Sequence, residues 1–323
     1  MNSKQRNILN AALFLLFGIT LIALAVAILL TGSEPLPIED VVAALLGGDV
    51  DESVRNIVLT LRLPKVVVAI LAGMALSASG LLMQTLFRNP LAGPYVLGIS
   101  SGASLGVALL TLATPYAAAW SYPWMESLGT AGMAWLGSAA VLLMVMTLTR
   151  RIKSISVILI IGMMLGSVIS AIVGVMQYMA AEESLKTFMV WTMGSLQSIT
   201  LEQMHIFVPM LLVGLVVALA VVKPLDMLLL GEGYARTMGL RIGLSRALIF
   251  LSTTLLAGSV TAFCGPIGFI GLAIPHLARF IFRTASHRVL MPATMLLGAV
   301  ALLLCAMFVD MVAHNGLMLP INT

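Results

Sequence analysis

The sequence predicts an all-α protein, a polytopic bundle of helices set in a membrane. Three observations carry this. Of the 323 residues, 60% are hydrophobic and only 9% charged, with a mean hydropathy of +1.10, whereas a soluble domain carries about 25% charged residues. Charge-free runs recur at lengths that match a bilayer's hydrocarbon core. Basic residues collect on one side when the chain is threaded back and forth from an inner N-terminus.

The first run, 7–33, follows Lys4 and Arg6 as a signal peptide would. It is too long for a signal's apolar core and long enough to span, so a helix is predicted at about 8–31. The second, about 64–86, opens at Pro64, a residue suited to a helix's first turn. Asn89, Pro90, Gly93 and Pro94 then mark a turn, and the next helix runs over about 94–113. Further spans follow at about 130–149, 155–180, 203–222, 246–264, 267–282 and 289–312, because a charge at the bilayer centre is costly. That makes nine. The stretch 187–201 is too short to span and is assigned as a re-entrant or interfacial helix.

With the N-terminus inside, thirteen basic residues fall on inner segments: Lys4, Arg6, Arg88, Arg150, Arg151, Lys153, Lys223, Arg236, Arg241, Arg246, Arg279, Arg283 and Arg288. Arg55, Arg62, Lys65 and Lys186 are the four outside, and ten of the thirteen acidic residues are also outside. This bias fixes the orientation. The segment 226–246 is then cytoplasmic within a single domain, 1–323. It is polar, basic and cut by Gly231, Gly233, Gly239 and Gly243 into pieces of one to two helical turns. Two readings stay open for it: a solvated loop whose charges set topology, or a docking surface of short helices for a soluble partner.

Little in the sequence points to chemistry of its own. None of the five lysines follows a glycine, so no phosphate-binding loop of the usual kind is present. His205, His276, His287 and His314 form no metal-ligand pattern. Cys264 and Cys305 both lie in apolar surroundings and read as small core residues. Gly98-Ile99-Ser100-Ser101-Gly102 matches a nucleophile-elbow pattern, yet small residues are ordinary where membrane helices meet. An intramembrane hydrolase using Ser100 and an ion-coupled secondary carrier are the alternatives. The first needs a base facing Ser100, and the second needs buried ionisable groups, of which Asp310 is nearly alone.

Three segments resemble the FecCD family of bacterial ABC importer permeases, the vitamin B12 permease type, which carry iron-siderophores, haem and cobalamin. They are RLPKVVVAILAGMALSASGLLMQTLFRNPLAGPYVLGISSGAS (62–104), LLLGEGYARTMGL (228–240) and GPIGFIGLAIPHLAR (265–279). The resemblance covers nearly the whole chain. It implies a homodimer with the path on its two-fold axis, two ATPase subunits inside and a periplasmic binding protein outside. ATP and Mg would belong to the ATPases, with no cofactor, metal or nucleic acid bound by this chain. The location implied is the bacterial inner membrane. An iron-siderophore is the first substrate expectation, haem or cobalamin the next.

Residue by residue, the resemblance assigns ATPase coupling to Glu232, Gly233, Ala235, Arg236 and Gly239, in two short helices whose charges steer docking. Arg62 and Lys65 would meet acidic patches on the binding protein, with lysine standing where the family's second arginine is usual. Asn89, Pro90 and Leu91 would narrow the path at the cytoplasmic gate, and Ser154 and Ser156 would form a second constriction. Gly265, Pro266, Gly268, Gly271, Pro275, His276 and Arg279 make the third motif, where His276 and Arg279 would bond freed backbone or the coupling loop. The family continues into a tenth helix where this chain ends at 319–323, and His314 stands where arginine is common.

Overall fold

The structure, a computed structural model, describes residues 3–31, 36–113, 123–149, 152 and 154–312. His314, the end segment 319–323, Arg150, Arg151 and Lys153 lie outside the described residues.

Among the described residues the regular structure is entirely helical. Helix α1 is Ser3–Leu30, α2 is Ile38–Leu46 and α3 is Glu52–Asn56. A π-helical stretch, Ile57–Arg62, carries α3 without a break into α4, Leu63–Phe87. A 3-10 turn at Pro94–Leu97 precedes α5, Ile99–Thr111, followed by α6 (Pro123–Leu148), α7 (Ile155–Met179), α8 (Glu182–Thr192) and α9 (Leu201–Ala220). Two short helices, α10 (Val222–Leu229) and α11 (Glu232–Thr237), lead to α12 (Ile242–Thr253). A second π stretch, Thr254–Gly258, joins α12 to α13 (Ser259–Cys264), and α14 (Ile270–Phe282) and α15 (His287–Val312) complete the order.

Seven of these helical runs are long and apolar enough to cross a membrane. The other two expected spans are helices of 13 residues each, α5 and α14. At 1.5 Å per residue each covers about 20 Å, short of the ~30 Å hydrocarbon core. Their N-terminal approaches explain the shortfall. Before α5 the chain turns through Pro94–Leu97 to Gly98, which holds a left-handed φ of 76°. Before α14, Gly265 (φ 75°) and Phe269 (φ 60°) break the helix that hydropathy alone would extend. The second span is conversely longer than expected, 52–87, because the chain passes Pro64 as one helical run.

Helix α4 is the axis of the bundle, buried along nearly its whole length and packed on α15, α14, α9 and α12. Its partners come very close. A Cβ on Gly73 would stand 2.2 Å from the Gly298 carbonyl oxygen in α15, and one on Gly80 would stand 1.7 Å from that of Gly271 in α14. Small residues permit such backbone contact, which replaces the hydrophobic drive that lipid cannot supply. The periphery is apolar outward: α1 exposes Ile8, Leu15, Leu16, Ile19 and Ile22, while its Phe14 ring packs 4.9 Å from Phe282.

Candidate coupling segment and gate

The segment 226–246 folds as α10 and α11, joined at Leu230 and Gly231. Gly231 has a φ of 114°, and a Cβ there would sit 3.2 Å from the Arg88 guanidinium. The positive φ favours glycine, and the close guanidinium adds to the preference. Helix α11 ends in a Schellman motif, with Leu240 N–H donating to Ala235 O (2.9 Å) and Gly239 N–H to Arg236 O (3.0 Å), Gly239 taking φ 85°. Ala235 is fully buried and pins the short helix. Leu229, Leu230, Gly233, Tyr234, Arg236, Met238 and Gly239 are left on the open side. Glu232 faces inward instead, where its carboxylate accepts from Arg246 at 2.5 Å. That ion pair ties the start of α11 to α12.

The turn after α4 is strapped from several sides. Arg88 closes the helix in a left-handed conformation (φ 48°) and donates from Nη2 to Leu228 O of α10 at 2.8 Å. Asn89 Oδ1 accepts from Leu91 N–H at 2.9 Å, a local turn that turns Leu91 outward, 69% exposed. His276 of α14 bonds Pro90 O at 2.8 Å, its Nε2–H donating because a carbonyl only accepts. Gln84 Nε2 donates to Leu272 O at 3.0 Å, and Arg279 Nη1 donates to Gln84 Oε1 at 2.6 Å. The structure thus brings the third motif's His276 and Arg279 onto the 84–91 region, bonding freed backbone and Gln84. Ser154 and Ser156 stand exposed at the start of α7, and no hydrogen bond among the described residues joins either to the turn.

A third connection escaped the sequence reasoning. His287, at the start of α15, lies between Asp226 of α10 (Nδ1 to Oδ1, 2.7 Å) and Thr85 of α4 (Nε2 to Oγ1, 2.8 Å). Its backbone N–H also donates to Asp226 Oδ1 at 2.8 Å. These three residues are far apart in sequence and of common types, so no spacing signal marks them.

At the N-terminal end of α4 both expected docking cations are turned into the protein. Arg62 is 8% exposed and donates to Leu29 O at 2.7 Å; Lys65 is 7% exposed and forms an ion pair with Asp310 of α15. Asp310 is therefore not the isolated carboxylate that the sequence presented. Around the third motif, Gly265 lies so close to α8 that a Cβ would be 2.5 Å from Trp191 O, and Gly271 would meet Pro94 at 2.6 Å. Pro266 is half-buried and Pro275 buried, whereas Gly268 is exposed with open space around it. Tyr95 donates its hydroxyl to Ile267 O at 3.0 Å, which fixes this loop against the turn before α5.

Nothing in the described residues groups three or more histidine, cysteine, aspartate or glutamate side chains for a metal. His205, His276 and His287 bond to Leu201 O, Pro90 O and the Asp226–Thr85 pair, and no hydrogen bond among the described residues joins any of the three to Ser100.

A family model described as the FecCD transport family matches residues 19–322. The chain is 37% identical over 258 residues to the vitamin B12 import system permease protein BtuC of Salmonella paratyphi A, covering 80% of this chain and 75% of that one. It is 35% identical over 255 residues to the hemin transport system permease protein HmuU of Yersinia pestis, covering 78% and 75%. Among solved structures it resembles a transporter assigned to the metal-chelate type of ABC transporter in an inward-facing conformation. That likeness has a TM-score of 0.82 and 29% identity, and covers 97% of this chain and 94% of that one.

Proposed function

Because the chain belongs to the FecCD transport family, we propose that it forms a homodimer whose two copies enclose the path for a ferric siderophore, with haem and cobalamin the next substrates. At the coarser level it is the membrane permease of an ABC importer of the metal-chelate, vitamin B12 or haem type. ATP hydrolysis belongs to a separate subunit. The location proposed is the inner membrane, with the N-terminus in the cytoplasm. Nine crossings belong to the same proposal, α5 and α14 completing theirs through the non-helical stretches that precede them.

One observation supports the coupling assignment above the others. The exposed side of 226–246 combines Tyr234, Arg236 and Met238 on a helix held rigidly from behind by Ala235, Arg88 and the Glu232–Arg246 pair. A solvated loop has no need of such bracing. An apolar and basic face on a fixed support suits a cleft in a soluble ATPase subunit. Gly233 leaves that face flat, and Gly239 ends it.

The gate is proposed at Asn89 and Leu91, with Ser154 and Ser156 as a second constriction. Leucine seals because water entering an apolar neck gains no hydrogen bonds. On the outer side Arg62 and Lys65 are the proposed docking cations. Lys65 would have to exchange Asp310 for a carboxylate of the binding protein, so docking should weaken as salt rises.

The test is reconstitution in liposomes with its ATPase subunits and a substrate-binding protein, offering ferric siderophores, haemin and cyanocobalamin in parallel. ATP-dependent uptake of one ferric chelate, dependent on the binding protein, is the expected result. Uptake of cyanocobalamin or haemin alone would overturn the siderophore reading, and ATP-independent uptake would overturn the importer reading.

A further inference from the structure

His287 is placed where the coupling segment, the gate helix and the start of α15 meet. Its side chain is 1% exposed, and both ring nitrogens have partners on different elements. A carboxylate only accepts, so Nδ1 carries the hydrogen donated to Asp226, and Nε2 of the neutral ring accepts from the Thr85 hydroxyl. Asp226 Oδ1 also receives the backbone N–H of His287, which puts a negative charge at the first turn of α15, where free N–H groups and the helix dipole favour it.

A second connection runs beside this one. Arg88 donates to Leu228 O, so Thr85 and Arg88, three residues apart on the last turn of α4, are joined to Asp226 and Leu228, two residues apart on α10. A single hydrogen bond to a carbonyl leaves two helices able to swivel about it. Two bonds at separate points fix their relative orientation. The turn at 89–91 begins directly after Arg88, so whatever fixes the last turn of α4 to α10 also fixes where Leu91 is held.

We propose that His287 is a positioning residue for coupling: it fastens α10 to the last turn of α4, so that displacement imposed on 226–246 from the cytoplasm reaches the turn at 89–91. The inference rests on the reading of 226–246 as the ATPase-coupling segment. Bulk alone would not serve. Leucine would fill the space but leave Asp226 and Thr85 without their shared partner, whereas glutamine offers one donor and one acceptor and can serve both.

The experiment places a cysteine at Leu91 in a Cys305→Ser background, Cys264 being buried. The complex with its ATPase subunits is held in nanodiscs, and thiol labelling at that position is compared without nucleotide and with ATP plus vanadate. In the parent the labelling rate changes on nucleotide trapping. In His287→Leu that change shrinks about fivefold or more while the ATPase subunits stay bound, and His287→Gln restores at least half of it. A change in His287→Leu equal to the parent's overturns the proposal, as does a glutamine variant no better than leucine. Should His287→Leu fail to insert, Thr85→Val and Asp226→Leu take its place, and an undiminished response in both is equally fatal. The substrate reading fails separately: it falls if no probe is imported, even where labelling behaves as expected. If the ATPase subunits do not bind 226–246 in the parent, the coupling assignment and this inference fall together.

Discussion

Around the start of α4, Arg62 and Lys65 are buried against Leu29 O and Asp310, while α11 and the residues after it carry Arg236 and Arg241 into the open. Both places are basic in the sequence, and both resemble partner-binding motifs. The difference lies in what holds them. At 226–246 the structural load falls on backbone and on residues engaged within the chain, namely Ala235, Glu232 with Arg246, and Arg88 with Leu228 O, so the remaining charges are available to a partner. At 62–65 the cations themselves are the struts. A partner that engages them must displace an internal bond, which makes docking there an exchange and not an addition.

The largest effect that would sharpen this contrast is expected from Asp310→Asn. It leaves the Lys65 ammonium buried without its counter-charge, and breaking one side of such a pair costs about 3 kcal/mol or more. Thermal unfolding of the purified protein in nanodiscs should show a large drop that Lys65→Met, added to it, largely reverses. If Asp310→Asn is as stable as the parent, Lys65 is not a strut.

Next comes Arg236→Glu, which leaves the braced support intact and inverts the exposed charge. ATPase stimulation and uptake should fall about tenfold through weaker docking, with insertion and thermal stability unchanged. Normal coupling in this variant would erase the distinction between the two ends. Leu91→Ala follows. It removes an exposed apolar side chain from the proposed seal, so retention of a preloaded chelate should shorten about threefold with no loss of assembly. Tight retention would move the seal towards Ser154 and Ser156. The smallest effect is assigned to Glu232→Gln: the carboxylate is about one-third exposed, so losing its pairing with Arg246 should lower stability by ~0.5–1 kcal/mol, with docking nearly unaffected.

Much of this architecture can be read from charge-free runs, because the bilayer penalises charge wherever it is unpaired. Seven spans and the polar segment 226–246 follow from that rule, and the glycines at 231 and 239 correctly announce the breaks around α11. Helix lengths at α5 and α14 do not follow, since hydropathy cannot tell a helix from the turns at Gly98 and Phe269 that shorten it. The pairings are illegible for a different reason. Lys65 meets Asp310 across 245 residues of sequence, and His287 meets Asp226 and Thr85 across 61 and 202. Only packing of α15 on α4 and α10 creates those encounters, and a single sequence carries no trace of which distant acid a lysine will find. Glu232, which the resemblance assigns to partner contact, is engaged within the chain by Arg246 because α11 packs on α12.

The π stretch at Ile57–Arg62 has a consequence for how α3 is aimed. There Leu63 N–H reaches back to Val58 O, five residues and not four, so this turn holds one residue more than an ordinary helical turn. Each residue of an α-helix advances the chain by about 100° around the axis. Loss of one residue from 57–62 would restore a regular helix and swing α3 by roughly that angle while leaving α4 where it is. The azimuth of α3 relative to α4 is thus set by one extra residue in a single turn.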